Sequence, residues 1–275
     1  DKKLYAPLRE LALENDVSVR IGRWQVPGKP VVALVDYKNL YSQKDAIYTD
    51  FWNKFKVDSL HAYGDYDESC LFSYQAGKFA VLAYNWLNKG TDIHKSAIFQ
   101  AHEWMSGFGL LYVKNNAPEI GTVFTTHATS VGRSITTNNK DLYDYFNGYD
   151  GDQMAMELNI QSKHSIEKTA ALEANCLTTV SEVTDKECLQ FFGRKSDIIL
   201  PNGFEPSFVK KGNAYKTTRN KARKTLLNVY NALTGSNLNN ETFIVSTSGR
   251  NDFRCKGFDM FLSALSKLEE KKTLE

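Results

Sequence analysis

Apolar positions along this chain switch repeatedly between short runs and helical spacings. Leu4, Leu8, Leu11 and Leu13 open it on a helical pattern. Pro30 to Val35 is apolar, largely β-branched and preceded by Gly28, which predicts a buried strand. Leu71, Phe79, Leu82 and Trp86 predict a helix over about 69–88. Residues 97–101 form the next strand candidate. Trp104, Phe108 and Leu111 follow at i, i+4 and i+7, on one face of a short helix. Residues 120–124 predict a strand, 152–174 a long helix, and 176–180 another strand. Thr184 and Glu187 read as a capping box for a helix carrying Cys188, Leu189 and Phe192. A strand over 197–200 ends at Pro201-Asn202-Gly203. Beyond it, Leu226, Leu227, Val229, Tyr230 and Leu233 are helical, residues 241–245 predict a strand, and Phe258, Phe261, Leu262, Leu265 and Leu268 form a last helical stripe.

Strands alternating with helices predict an α/β fold with a mostly parallel sheet covered on both faces. No internal repeat interrupts this order. The composition changes after Gly203, and we place a domain boundary near 203–207. The first domain then covers 1–204 and the second 205–275.

Composition narrows the class. Hydrophobic residues make up 42% and charged residues 24% of the 275, the usage of an ordinary globular protein. Lys plus Arg is 34 against 32 for Asp plus Glu, a net charge of +2, which argues against a nucleic-acid coat. Seven cations do gather between Lys210 and Lys224. A solvated helix face and a polyanion patch are the two readings, and the scarcity of interleaved aromatics disfavours single-stranded nucleic acid. No apolar run reaches membrane-spanning length. Cys70, Cys176, Cys188 and Cys255 form neither a disulfide framework nor a zinc pattern, so a reducing, cytoplasmic setting is expected. The start at Asp1 rather than Met leads us to expect a piece of a longer protein.

Candidate chemistry is sought past the carboxyl ends of the strands, where open α/β sheets bind ligands. His102 follows the strand at 97–101; it either faces a ligand or serves as a capping or core histidine. Gly107-Phe108-Gly109 is no dinucleotide fingerprint, because it lies inside a helix and lacks the third glycine. Thr125-Thr126-His127-Ala128-Thr129, then Gly132-Arg133, puts hydroxyls, an imidazole and a guanidinium past a strand end. That suits a sugar or phosphate; a hydrogen-bonded turn with Arg133 on the surface is the alternative. Asn202 lies in a turn signal that by itself carries no function. Gly249-Arg250 and Lys256-Gly257 place two cations around a loop leading into a helix N-terminus. Such a pair either holds a diphosphate or is merely solvated. Phosphate-loop, serine-hydrolase and zinc-protease motifs are absent. A reaction run by positioning and charge stabilisation fits the lack of an evident nucleophile.

Taken in order, Ile21-Gly22-Arg23-Trp24, His102-Glu103-Trp104, Phe124 to Thr129 with Gly132-Arg133, Thr178-Thr179-Val180-Ser181, Pro201-Asn202-Gly203, and Gly249-Arg250 to Lys256-Gly257 resemble the animal and fungal type of glycogen synthase, glycosyltransferase family three. The resemblance implies two Rossmann-like domains of the GT-B type facing a cleft, the first nearly complete here and the second truncated. It implies retaining transfer of glucose from UDP-glucose to the non-reducing end of glycogen, an α-1,4-glucan. It places His102 beside the donor glucose, Arg250 and Lys256 on the diphosphate as catalytic groups, and His127, Arg133, Asn202 and Gly249 among the substrate-binding residues. It implies no metal and no cofactor beyond the donor substrate, no nucleic-acid or membrane partner, and a homo-oligomeric parent.

The chain departs from that pattern in places. The family's Lys-x-Gly-Gly donor loop has no match, the late acidic motif is missing, and Gln100 stands where a histidine is common. We therefore expect the 275-residue chain to be inactive by itself. An ADP-glucose-using or other GT-B transferase, and a non-catalytic glycan-binding protein, are the competing readings.

Overall fold

The computed structural model describes residues 3–90, 95–251, 253–254 and 256–272; Cys255 lies outside them. The chain divides into two compact units, Asp1–Pro201 and Asn202–Glu275.

The first unit begins with helix α1 (Ala6–Glu14) and an antiparallel hairpin, β1 (Ser18–Arg23) and β2 (Val31–Asp36). The strand expected at 30–35 is thus real but sits outside the main sheet. Val31 and Leu34 are exposed, so its apolar run does not mark a buried parallel strand. Helices α2 (Lys44–Phe55) and α3 (Tyr66–Asn88) follow, α3 starting before the predicted 69. Asp67 and Glu68 occupy its first turn, where negative charge suits the helix dipole.

The main sheet has four strands in the order β3 (Ile98–His102), β4 (Gly121–Thr126), β5 (Cys176–Thr179) and β6 (Ile198–Ile199). Every pairing is parallel, as the alternating pattern predicts. Central β4 and β5 are buried towards their carboxyl ends, whereas Ile98 on β3 and Ile198 on β6 are exposed, so the edges are less covered than expected. Between the strands run α4 (Gly107–Asn116), α5 (Ser130–Thr137), α6 (Gly151–Glu157), α7 (Gln161–Glu173) and α8 (Glu182–Phe192).

The core centres on α4. Phe108 is fully buried, stacks on Phe51 with centroids 4.3 Å apart, and meets Tyr48 and Tyr66 edge-on. Gly107, Phe108, Gly109, Leu110, Leu111 and Val113 are all buried, so α4 is wrapped on every side rather than carrying one apolar stripe. The two glycines have a packing reason. A Cβ on Gly109 would stand 2.5 Å from the Ser73 carbonyl oxygen, and one on Gly107 would stand 2.8 Å from Ile166 Cγ1. Their absence of side chains lets α3 and α7 approach.

Two helix predictions need correction. The stretch 152–174 is two helices, because Asn159 turns left-handed (φ 55°) between α6 and α7. Asparagine tolerates that conformation better than most residues. Helix α8 starts before Thr184: its N-cap is Ser181, whose Oγ accepts the Thr184 N–H at 3.2 Å.

The second unit contains α9 (Gly212–Thr234) and α10 (Phe258–Lys272). The strand expected at 241–245 does not form among the described residues, and Phe243 there is 87% exposed. Among the described residues of this unit Leu227 is a buried hydrophobic residue, whereas Leu226, Val229, Tyr230 and Leu233 on α9 are exposed. Arg223, one of the seven clustered cations, is structural: Nη2 donates to the carbonyls of Asn240 (2.8 Å) and Thr242 (2.5 Å).

Candidate functional site

Strand β3 delivers His102 to the carboxyl rim of the sheet, in register with Thr125 of β4. Beneath the rim a ladder of polar side chains crosses the strands. Gln100 Nε2 donates to Thr125 Oγ1 at 2.9 Å, and Thr125 and Thr178 share a hydrogen bond of 2.7 Å. Both threonines are buried, so their hydroxyls satisfy one another instead of reaching a ligand.

His102 itself is exposed, and His127 is half-buried just past β4. Their rings meet, with His102 Nδ1 3.2 Å from His127 Nε2. One imidazole donates and the other accepts. Burial and the neighbouring His127 push His102 below the ordinary histidine range, against the opposing pull of Glu103. His102 is therefore neutral at pH 7, able to exchange hydrogen bonds with a hydroxyl but not to act as a fixed cation.

Trp104 anchors the same segment. It stacks almost parallel on fully buried Tyr66, with centroids 5.9 Å apart, and takes Lys163 Nζ at 4.7 Å over its ring. Between His102 and Trp104 the chain turns sharply at Glu103, whose φ is 61° and ψ 170°.

The loop from Thr126 to Gly132 is held by the side chains of three glutamates. Glu103 Oε1 accepts the His127 N–H at 2.8 Å. Glu167 of α7 accepts the Ser130 N–H at 2.8 Å and the Thr126 hydroxyl at 3.4 Å. Glu187 of α8 accepts the Thr129 hydroxyl at 2.7 Å and the Tyr143 hydroxyl at 2.9 Å. Thr129 in turn caps α5 by accepting the Gly132 N–H at 3.0 Å. A Cβ on Gly132 would lie 2.6 Å from Glu187 Oε2 and 2.8 Å from Thr129 Oγ1, so a side chain there would displace the Thr129–Glu187 contact. Glu167 is fully buried, and burial pushes its carboxyl up to about 8, with Ser130 and Arg133 pulling the other way.

Of the predicted site residues, the structure brings His102 and His127 together. Arg133 is exposed on α5, close enough for its charge to be felt at Glu167. Asn202, Gly249, Arg250 and Lys256 belong to the second unit. There Gly249 packs against Lys256: a Cβ on the glycine would stand 3.1 Å from Lys256 Cγ. Arg250 and Lys256 are exposed around the loop between them. Gly257, at φ 68°, leads into α10, and its carbonyl accepts the Phe261 N–H at 2.9 Å, so the helix opens where the sequence places it. Asn202 is exposed and outside any helix or strand.

Sequence reasoning gave none of the three glutamates a place in the site; it read Glu187 as a capping-box residue and Glu103 only as part of the His102-Glu103-Trp104 run. Glu167 had a signal: Ile166, Ala170 and Ala171 are its neighbours at i−1, i+3 and i+4, so it stands on an apolar stripe. Glu103 and Glu187 had none.

Residues 2–274 match the sequence profile of the family described as Glycogen synthase. The chain belongs to the glycogen synthase family. It is 31% identical over 264 residues to the liver glycogen [starch] synthase of Mus musculus, across 93% of this chain and 36% of that protein. It is 29% identical over 268 residues to glycogen [starch] synthase of Neurospora crassa, across 94% and 36%. Isoform 2 of Saccharomyces cerevisiae is 28% identical over 252 residues, across 90% and 35%. The chain thus spans little more than a third of the length of the curated relatives it matches. The parallel sheet with intervening helices is consistent with a Rossmann-like domain of such a glycosyltransferase.

Proposed function

We propose that the parent polypeptide is a retaining glucosyltransferase, moving glucose from UDP-glucose to the non-reducing end of an α-1,4-glucan. The observation that carries this reading is the His102–His127 pair at the carboxyl rim of a parallel sheet, in a chain of the glycogen synthase family. A neutral imidazole suits a sugar hydroxyl, which both gives and takes hydrogen bonds. On this reading His102 contacts the donor glucose, and His127, Arg133 and Asn202 contribute to holding substrate. Arg250 and Lys256 hold the diphosphate and stabilise its charge as it leaves, with Gly249 letting the backbone approach the lysine stem. The reaction so described uses no metal. No described helix is long and apolar enough to cross a membrane. We infer a cytoplasmic homo-oligomer as the working form.

The test is glucosyl incorporation into glycogen by a polypeptide of full family length, with UDP-glucose and ADP-glucose compared. Incorporation from UDP-glucose, with Arg250→Ala lowering kcat by about 10²–10³-fold, is the expected result. Incorporation from ADP-glucose alone would move the protein to another donor class. No incorporation from either would overturn the enzyme reading in favour of glycan binding.

A further inference from the structure

We propose that Glu103 is a positioning residue of the transfer site, whose strained backbone and carboxylate together fix the His102–His127 pair. The proposal rests on the role given to His102 above.

Glu103 sits at φ 61°, ψ 170°, a region that only glycine enters readily. The surrounding bonds hold it there. Its N–H donates to the Thr125 carbonyl at 2.9 Å, and the Ser106 N–H donates to its carbonyl at 3.1 Å. Ser106 Oγ donates to the His102 carbonyl at 2.5 Å and reaches the Glu103 carbonyl at 3.3 Å. On one side the chain is pinned by β3, and on the other by Trp104 stacked on Tyr66.

The turn has one evident product. It sends the Glu103 carboxylate across the gap between the ends of β3 and β4, to the backbone N–H of His127. His102 is then fixed by its own strand, β3, and His127 is tied through its own N–H to the residue beside His102. The ring contact of 3.2 Å sits on that tie. Glycine would take the same backbone without strain. A glutamate there is explained by its carboxylate, not by the turn.

The consequence separates stability from site order. Glu103→Gly relieves the strain but removes the tie. Glu103→Gln keeps an oxygen to accept the His127 N–H but removes the charge, and also guards against a folding artefact of the glycine variant. The readout is the imidazole nitrogen spectrum of the 275-residue chain, with ¹⁵N-labelled histidine, titrated from pH 5 to 8. For Glu103→Gly we expect an unchanged or higher Tm, loss of a single tautomer at His102 and His127, and a titration midpoint of His102 shifted down, because the upward pull of Glu103 is gone. For Glu103→Gln we expect the downward shift with the tautomers kept.

If Glu103→Gly leaves tautomers and titration as in the unsubstituted chain, Glu103 only forms a turn and the proposal fails. The same variants in a polypeptide of full family length separate the two readings. A loss of about 10- to 100-fold in kcat with little change in KM for Glu103→Gly supports both. Altered imidazoles together with full activity in both Glu103→Gly and His102→Ala would leave the tie standing and remove His102 from the chemistry.

Discussion

Glu167→Gln should make the first unit more stable, and by an amount that grows with pH. Glu167 is fully buried beneath the 126–132 loop, and its carboxyl is pushed up to about 8, from about 4.5 in a solvated chain. Below pH 4.5 it is protonated whether the chain is folded or not. Between 4.5 and 8 the unfolded chain has released the proton and the folded one keeps it. The folded state then binds more protons, so stability falls with rising pH by up to about 1.4 kcal/mol per unit. Across the window the loss sums to about 5 kcal/mol. Above pH 8 both states are ionised and the dependence stops. Glutamine mimics the neutral acid: its oxygen can accept the Ser130 N–H, and it has no proton to lose. His102 runs the other way, since its folded proton affinity is lowered and it removes stability as pH falls. It is present in both proteins and cancels in the difference.

The assay is urea unfolding at pH 5, 6, 7 and 8 at constant ionic strength. All four tryptophans, Trp24, Trp52, Trp86 and Trp104, lie in the unit ending at Pro201, so their fluorescence reports on the part that holds Glu167. The stability gap between Glu167→Gln and the unsubstituted chain should widen from pH 5 to 8 with matching m-values. Parallel stability curves would refute the reasoning: Glu167 would then ionise in the fold as it does in water.

Two further changes probe other contacts. Gly109→Ala should destabilise the first unit by about 1–3 kcal/mol, because its new methyl meets the backbone oxygen of Ser73 and not a side chain that can swing away; Gly121→Ala, whose nearest neighbour would be at 3.7 Å, is the control, and equal melting temperatures for the two would count against that packing. Arg223→Ala should raise hydrogen exchange in α9 and the 240–242 segment, with a loss of about 1.5–3 kcal/mol for the charged donor's bonds; unchanged exchange would return Arg223 to the solvated cations.

The parallel strands and the helices α3, α9 and α10 were legible because run length and period follow the backbone geometry of strand and helix. The misses have separate causes. Strand β1 alternates Ser18, Arg20 and Gly22 with Val19, Ile21 and Arg23, too little apolar contrast to stand out. Its partner β2 carries a run that looks buried, yet it belongs to a two-stranded ribbon with exposed positions. The 241–245 run has strand-like residues, but a strand needs a neighbour, and none pairs with it among the described residues. Asn159 breaks a helix by its backbone alone, which no hydrophobic period records. At the site, His102 and His127 were legible as polar residues at strand ends. Of the glutamates that order them, only Glu167 had a sequence signal, its place on an apolar stripe; Glu103 and Glu187 read as solvated until packing shows otherwise.

Those carboxylates change what the first unit's rim can bind. A loop entering a helix N-terminus ordinarily offers N–H groups to an anion. Here the N–H groups of His127, Ser130 and Gly132 are already taken by Glu103, Glu167 and Thr129. Glu187 stands behind Thr129 as a further acceptor. A phosphate approaching this loop would find those three donors occupied and glutamate oxygens beside it. A neutral polyol meets no such penalty and can exchange hydrogen bonds with the two imidazoles. On the proposed function, recognition therefore divides by chemistry: the sugar falls to His102 and His127, and the diphosphate to the cations at Arg250 and Lys256, where Gly249 adds no side chain. The two halves are then separable by mutation. His127→Ala should weaken discrimination among sugars while leaving affinity for UDP alone nearly unchanged, and Lys256→Ala should do the reverse. Calorimetric titration of a polypeptide of full family length with UDP and with UDP-glucose reads both. Loss of UDP affinity in His127→Ala would show that the loop binds phosphate after all and would break the division.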